Sequence, residues 1–158
     1  MLTQTIQFVA QHSDCFERSL NVGHVTGSAW IMDLERSHVL LTHHRKLDQW
    51  FQLGGHSDGD PNTLEVALRE GQEESGLDTL RPISENIFDV DVHLIPERKN
   101  EPAHYHYDVR FLLEADQLSP LTISGESNEL SWVTFEEALS LSQDASIQRM
   151  VAKSRTLA

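Results

Sequence analysis

The chain has 158 residues, of which 25 are acidic and 12 are basic, so its formal net charge is −13 when every histidine is neutral. This length suits one domain with a substantial hydrophobic core. The negative charge argues against a nucleic-acid polymer and against an anionic membrane as partners, because both attract Lys and Arg. A small anionic substrate remains compatible with this charge, since a bound divalent cation reverses its local sign.

The cysteine content and the N-terminal sequence indicate the cellular compartment. Cys15 is the single cysteine, so an intrachain disulfide is excluded. The first residues lack the basic stretch and the apolar run of a signal peptide, and no segment of about 20 apolar residues is present. We therefore expect a cytoplasmic protein without a membrane-spanning segment.

The hydrophobic pattern predicts a mixture of helices and strands. A first helix is expected over about 3–20, where Ile6, Val9, Ala10 and Phe16 recur at nearly helical spacing. Strands are then expected at 25–34, 39–42, 50–53, 87–94, 104–113 and 130–133, and further helices at 63–75, 134–141 and 145–155. Because strands and helices do not alternate strictly, we expect an α/β (α+β) fold, a mixed sheet with helices on both faces. No repeat or linker is visible, so a single domain over 1–158 is expected.

The segment 54–77, GGHSDGDPNTLEVALREGQEESGL, is the most informative part of the sequence. Asn62 is expected to cap a helix, with Glu65 completing a capping-box pattern, and Gly76 is expected to end it. A small or apolar side, which should pack on the sheet, is formed by Leu64, Ala67, Leu68, Gly71 and Ser75.

Three glutamates lie on another side of this helix. Glu70, Glu73 and Glu74 fall within an arc of about 100°. Carboxylates this close repel one another unless they are spread in water or share a cation, and hard cations such as Mg²⁺ prefer oxygen ligands. Arg69 lies one turn from Glu73 and is expected to hold that carboxylate in place. A solvated acidic surface is the alternative explanation for the glutamates alone.

The same segment resembles the box of the Nudix (MutT-like) hydrolases, G-x5-E-x7-R-E-U-x-E-E-x-G-U, where U is a bulky apolar residue. The matching residues are Gly55, Arg69, Glu70, Glu73, Glu74, Gly76 and Leu77. Two positions depart from the box, because Pro61 stands where a glutamate is expected and Gly71 where an apolar residue is expected. Glu65 lies about 135° around the helix from the other carboxylates, so Asp58 and Asp60 are better placed to supply the missing charge.

The resemblance implies a Nudix-type α/β/α sandwich that cleaves a diphosphate linkage with Mg²⁺ or Mn²⁺ as cofactor. It implies that the cation is held by the backbone carbonyl of Gly55 and by three carboxylates, those of Glu70, Glu73 and Glu74. It also implies that Arg69 orients Glu73 by a charge-assisted contact.

The general base of the family is either a box glutamate or a glutamate on a later loop. Here the box offers Glu73, and the later loop offers Glu126 and Glu129. We favour Glu126 because it follows Gly125 in an expected loop, and an exposed acid without a catalytic role is the alternative. The expected catalytic residues are therefore Arg69, Glu73 and Glu126.

Histidine is abundant, with nine in the chain, and several lie near the box. Residues 43–46 form the one concentrated basic patch, close to an aromatic residue that can stack on a base. In strand 104–113 alternate side chains lie on a common face of the sheet, and one such face carries His104, His106, Asp108 and Arg110. The expected substrate-binding residues are His43, Arg45, Trp50, His56, His104 and His106.

Two alternatives to substrate binding remain for these histidines. They fit polar positions on a half-exposed sheet face. A zinc site formed by His56, His104 and His106 is a second alternative, but no short ligand-spacing motif supports it.

The leading function is a metal-dependent pyrophosphohydrolase that acts on a small nucleoside diphosphate derivative. The alternative is a Nudix-fold module that binds a nucleotide or nucleotide sugar and cleaves it slowly, which Pro61 and Gly71 favour. A prenyl diphosphate isomerase needs a cysteine facing the substrate, and Cys15 is far from the box in sequence. RNA decapping is disfavoured by the acidic charge. Similar proteins are often homodimers, although no feature of this sequence requires one.

Overall fold

The computed structural model of this chain describes residues 1–99, 101–125 and 127–157, which form four helices and seven strands. The helices are α1 (Leu2–Gln11), α2 (Thr63–Ser75), α3 (Phe135–Leu141) and α4 (Ala145–Ser154). The strands are β1 (Gly23–Asp33), β2 (His38–His44), β3 (Gln49–Phe51), β4 (Leu53–His56), β5 (Arg81–Ile95), β6 (His104–Ala115) and β7 (Ser127–Thr134). None of the helices in the described ranges is both long and apolar enough to cross a membrane.

The strands form one mixed sheet around β1. The main order is β3-β2-β1-β6-β5, in which β1 and β6 run parallel, and β4 and β7 pair with β1 and β2. All the pairs except β1 with β6 are antiparallel. One edge of β1 is divided, because Ile31 and Met32 pair with β2 whereas residues 26–29 pair with β4. This division brings the glycine-rich strand β4 beside β1.

Helices cover both faces of the sheet. On one face α1 and α2 pack on a core that includes Ala29 and Ile31 of β1. On the other face α3 and α4 pack around Trp30, whose indole N–H donates to Ser154 Oγ of α4 at 2.8 Å. Successive residues of β1 thus serve opposite layers, as the period of a strand requires. The expected α/β (α+β) sandwich, a mixed sheet with helices on both faces, is confirmed.

The N-terminal helix is shorter than the expected span of about 3–20. It ends at Gln11, and turns follow, in which the carbonyl of Cys15 accepts a hydrogen bond from the N–H of Val25 at 2.7 Å. Ser13 and Asp14 favour turns because their side chains compete for backbone groups. The bond to Val25 then fixes these turns against the start of β1.

The buried side of α1 is defined by an aromatic residue. Ile6 and Val9 are exposed, whereas Phe8 is buried and stacks on Tyr107 of β6 with ring centroids 3.9 Å apart. The helical spacing of Ile6 and Val9 therefore does not mark the side of α1 that packs on the core. An aromatic ring buries more apolar surface than either aliphatic side chain, so its contact decides the orientation of the helix.

The strand expected at 50–53 is in fact two strands, β3 and β4, which pair with different partners. Gln52 lies between them, and its amide donates to Asp108 Oδ2 at 3.3 Å. Gly54 and Gly55 were expected to follow the strand, but both lie inside β4. They are therefore held by a sheet rather than by a free loop.

Candidate functional site

The local sequence defines both ends of α2. Asn62 Oδ1 accepts from the N–H of Glu65 at 3.4 Å, and Gly76 closes the helix in the left-handed conformation with φ 74°. The residues buried against the sheet are Val66, Ala67, Gly71 and Ser75, with Leu64 and Leu68 packed at the edge of the core. The expected sheet-facing side is thus confirmed, with Val66 added to it.

Three successive residues of β4 contact α2. The N–H of Gly54 donates to Glu74 Oε2 at 2.9 Å, and the carbonyl of His56 accepts from Arg69 Nη2 at 3.1 Å. Between them, a Cβ added to Gly55 would collide with the carboxylate of Glu70. A side chain at this position would displace the Glu70 carboxylate from β4, so glycine allows their close approach.

Glu70, Glu73 and Glu74, which we call the glutamate triad, differ in their environments. Glu70 and Glu74 are half-buried, and Glu73 is exposed. Burial raises the pKa of Glu70, and the neighbouring Glu73 raises it further, while Arg69 acts in the opposite direction. An all-carboxylate donor set with an unfavourable environment for negative charge is suited to a hard divalent cation such as Mg²⁺.

Arg69 does not hold Glu73, contrary to the sequence expectation. Its Nη2 lies 3.5 Å from Glu70 Oε1, its Nη1 lies 3.9 Å from Asp60 Oδ2, and no ion pair joins it to Glu73 within the described residues. Helical side chains lean toward the N-terminus, so Arg69 reaches back to β4 and to the loop before α2. It therefore ties the backbone of β4 to the helix.

The two aspartates before α2 have different partners. Asp58 accepts two hydrogen bonds of 2.6 Å from Arg18. Asp60 Oδ1 accepts a hydrogen bond from the N–H of Asn62 at 2.9 Å, and the Asp60 carboxylate lies beside Arg69. Of the two acids expected to compensate for Pro61, Asp60 is thus the one that lies next to the box arginine.

Gly71 lacks the apolar side chain of the box because Leu80, from outside the box, fills the space beside it. A Cβ at Gly71 would lie 2.7 Å from Leu80 Cδ2 and 3.4 Å from the Cβ of Ala29. Leu80 is buried and belongs to the same core as α2. The apolar volume that the box usually supplies at this position is therefore supplied from outside it.

We expect Gly71→Leu to destabilise the fold by about 1–3 kcal/mol, because it overpacks a filled core. In the Leu80→Ala background the same change should cost less, with a coupling energy of about 0.5–3 kcal/mol between the two sites. Urea unfolding of the wild type, both single variants and the double variant measures this coupling. Additive losses would show that Leu80 does not fill the space beside Gly71.

His24, His56, His104 and His106, which we call the histidine cluster, meet on the sheet face opposite α2. His24 of β1 pairs with His106 of β6, and His56 of β4 pairs with Thr26, two residues further along β1. The ring centroid of His24 lies 4.7 to 5.1 Å from those of the other three. The sequence predicted the shared face of His104 and His106 but missed His24, because only the parallel register of β1 and β6 brings it there.

The environment keeps the imidazoles of His24, His56 and His106 neutral. Burial, assisted by the neighbouring rings, lowers the pKa of His24 to about 4 and that of His106 to about 2. Burial also lowers the pKa of His56. Near pH 7 these three rings carry no positive charge for a phosphate group, and each offers a lone pair instead.

The remaining substrate-binding candidates lie elsewhere, on the β2–β3 hairpin. The rings of His43 and Trp50 are 5.1 Å apart, and Arg45 donates to Asn128 Oδ1 at 3.2 Å and to the carbonyl of Ser127 at 3.3 Å. The structure therefore divides the six candidates between this hairpin and the histidine cluster. Glu126 lies outside the described residues.

A mixed sheet between two helix layers, with a glycine strand held against a helix that carries arginine and glutamates, defines a Nudix-type protein. The profile of the NUDIX domain matches residues 24–153. The chain therefore belongs to the NUDIX family and is a Nudix hydrolase, an enzyme that acts on phosphoric anhydride bonds. Comparison with curated proteins gives no match.

Solved structures share this fold over most of the chain. A C. elegans Ap4A hydrolase in a binary complex is 18% identical with a TM-score of 0.67, covering 84% of this chain and 96% of that one. A NUDIX family hydrolase from Clostridium perfringens is 23% identical with a TM-score of 0.66, covering 85% and 98%. The E. coli dihydroneopterin triphosphate pyrophosphohydrolase is 17% identical with a TM-score of 0.64, covering 82% and 92%. At these identities the likeness concerns the fold.

Proposed function

We propose that this Nudix hydrolase cleaves the diphosphate linkage of a small nucleoside diphosphate derivative and depends on Mg²⁺ or Mn²⁺. The observation that carries the proposal is the attachment of two members of the glutamate triad to β4, through the bond from Gly54 to Glu74 and the close approach of Gly55 to Glu70. These contacts hold carboxylates on a rigid helix beside a backbone strand, as a cation site requires.

The glutamate triad and the carbonyl of Gly55 would hold the cation. When bound there, the cation would supply neutralisation of phosphate oxygens and activation of a water molecule. The N–H of Gly54 fixes Glu74, and Arg69 fixes both the carbonyl of His56 and the carboxylate of Glu70. In this proposal Arg69 is a positioning residue, because it acts through β4 and Glu70.

The substrate and the general base involve other parts of the chain. We propose that Arg45 and His43 bind phosphate and that Trp50 stacks on the base, because they are gathered on one hairpin. Glu126 is the proposed general base, and Glu129 is the matched comparison on the same segment. Glu126→Gln should lower kcat by about 10²–10⁴ and Glu129→Gln should not, if Glu126 takes the proton.

The experiment is a panel of compounds assayed with Mg²⁺ or Mn²⁺ and with a chelator. The panel contains nucleoside triphosphates, ADP-ribose, nucleotide sugars, dinucleoside polyphosphates and NADH. Two structural neighbours are named for Ap4A and dihydroneopterin triphosphate, so both compounds join it. We expect release of phosphate or nucleotide from at least one compound only with the metal. Turnover that is equal in the chelator would contradict the metal dependence.

Pro61 favours a second candidate, a module that binds a nucleotide and cleaves it slowly, because the box glutamate expected there is missing. Calorimetric titration of the same panel separates the two. Metal-dependent binding without turnover on any compound would favour the binding module. The cytoplasmic location and a homodimer remain expectations.

A further inference from the structure

The histidine cluster has the composition and spacing of a metal site, separate from the glutamate triad. One ring nitrogen from each of His24, His56 and His106 lies within 4.8 Å of the others. The three come from β1, β4 and β6, which are hydrogen-bonded neighbours, so the sheet fixes their positions. The preceding residue, Gly55, faces α2. Because successive residues of a strand face opposite sides of the sheet, the His56 side chain points away from α2.

The unbonded ring nitrogens of His24 indicate that this group binds a ligand. The His24 side chain is 2% exposed, yet neither Nδ1 nor Nε2 has a hydrogen-bond partner among the residues described. Buried polar atoms are almost always bonded, because an unpaired one loses its contacts with water without replacement. A neutral imidazole in this state is satisfied on one side by a metal ion, which needs no donor hydrogen.

His104 lies against His106 at the edge of the group of three. Its Nδ1 lies 2.8 Å from the carbonyl of Pro102, so the N–H is on Nδ1 and the Nε2 lone pair faces the cluster. His104 Nε2 lies 3.3 Å from His106 Nε2. Two nitrogens bound to one tetrahedral zinc ion at about 2.0–2.1 Å are separated by about 3.3 Å. Without a metal this contact is a hydrogen bond, and its length is also compatible with two ligands on a single ion.

We propose that His24, His56 and His106, with His104 beside them, bind a divalent transition metal of the Zn²⁺ type. Imidazole nitrogen selects Zn²⁺ and related ions over Mg²⁺ and Ca²⁺, which prefer oxygen. The site joins β4 to β1 and β6, and its ligand His56 directly follows the glycines that contact the glutamate triad.

The test measures metal binding rather than hydrolysis. The chelator-treated full chain, in which the triad carries the Glu70→Gln and Glu74→Gln changes, is titrated with Zn²⁺ and with Co²⁺ in excess Mg²⁺. We expect one ion per chain, visible Co²⁺ bands of tetrahedral type, and a rise in Tm of about 5–10 °C at a hundredfold excess over Kd. Because the triad is disabled, a failure of the proposed hydrolase function does not affect this result.

Variants of the ligands give the decisive comparison. His56→Gln and His106→Gln should each weaken Zn²⁺ binding by more than about 100-fold, while His38→Gln, at a histidine outside the cluster, should leave it unchanged. His24→Gln repeats the test at the most buried ligand. If His24→Gln does not fold, the variant of the half-buried His56 provides the comparison. Absence of Zn²⁺ and Co²⁺ binding, or equal binding by all the histidine variants, would overturn the proposal.

Discussion

Glu70→Gln and Glu74→Gln are each expected to lower kcat/KM by about 10²–10⁴ on the substrate that the panel identifies. Each change removes a negative charge from the proposed cation site but keeps the shape of the side chain, and several kcal/mol of transition-state stabilisation are lost with the cation. At position 74 the amide oxygen still accepts from the N–H of Gly54, so β4 keeps its place. Steady-state kinetics over a range of Mg²⁺ concentrations measure the effect, and circular dichroism checks the fold.

Glu65→Gln is the matched control on the same helix. Glu65 is exposed, and its backbone N–H, not its carboxylate, takes part in the observed cap. We expect nearly unchanged activity. A loss equal to that of Glu74→Gln would show that Glu65 replaces the glutamate missing at Pro61. Full activity of both triad variants would contradict the proposed cation site instead.

The parts of this site that the sequence predicted are those that depend on local chemistry. α2 begins and ends where Asn62 and Gly76 indicate, because a cap and a left-handed glycine act within a few residues. The spacing of the glutamate triad on one side of α2 follows from helix geometry alone. Such features require no knowledge of the rest of the chain.

The parts that the sequence missed depend on contacts between distant segments. His24 joins the histidine cluster only through the pairing of β1 with β6, which are separated by about half of the chain. Several carboxylates lie within reach of Arg69. Its bond to the carbonyl of His56 in β4 places the guanidinium beside Glu70. Phe8 turns α1 because Tyr107 offers a stacking surface. None of these contacts can be predicted from a short stretch of sequence.

A buried ion-pair network links α4 to the face of the sheet that bears the histidine cluster. Arg110, 2% exposed, lies 2.7 Å from Asp108 and 3.5 Å from both Asp89 and Asp91. Arg149 of α4 bonds the carboxylate of Asp89 through two nitrogens, at 2.9 and 2.7 Å. One central guanidinium therefore contacts three aspartates that have little access to water.

The pKa values of two of these aspartates determine how the network responds to acid. A hydrogen bond from His93, with the charge of Arg110, lowers the pKa of Asp91. Burial alone would raise the pKa of Asp89, but the bonds from Arg149 and Lys153 lower it. Because folding lowers these values, the stability they contribute is present above the ordinary Asp pKa of about 4 and is lost as the pH falls toward the lowered values.

Arg110→Met is accordingly expected to destabilise the fold at pH 7 by about 3–5 kcal/mol, because it leaves buried carboxylates without their central cation. For a chain of this length the Tm should fall by about 10 °C. The deficit should shrink as the pH is lowered through 4, since protonated carboxylates no longer need the guanidinium. Calorimetric melting at several pH values measures both effects.

Arg155→Met is the matched control, because its bond of 2.7 Å to Glu136 joins two side chains that are largely exposed. Such a pair contributes about 1 kcal/mol or less, so this variant should melt close to the wild type. Arg110→Lys keeps a positive charge and extends the test if the methionine variant does not fold. Equal melting of the Arg110 and Arg155 variants at pH 7 would mean that the contacts of the Arg110 guanidinium add little to stability.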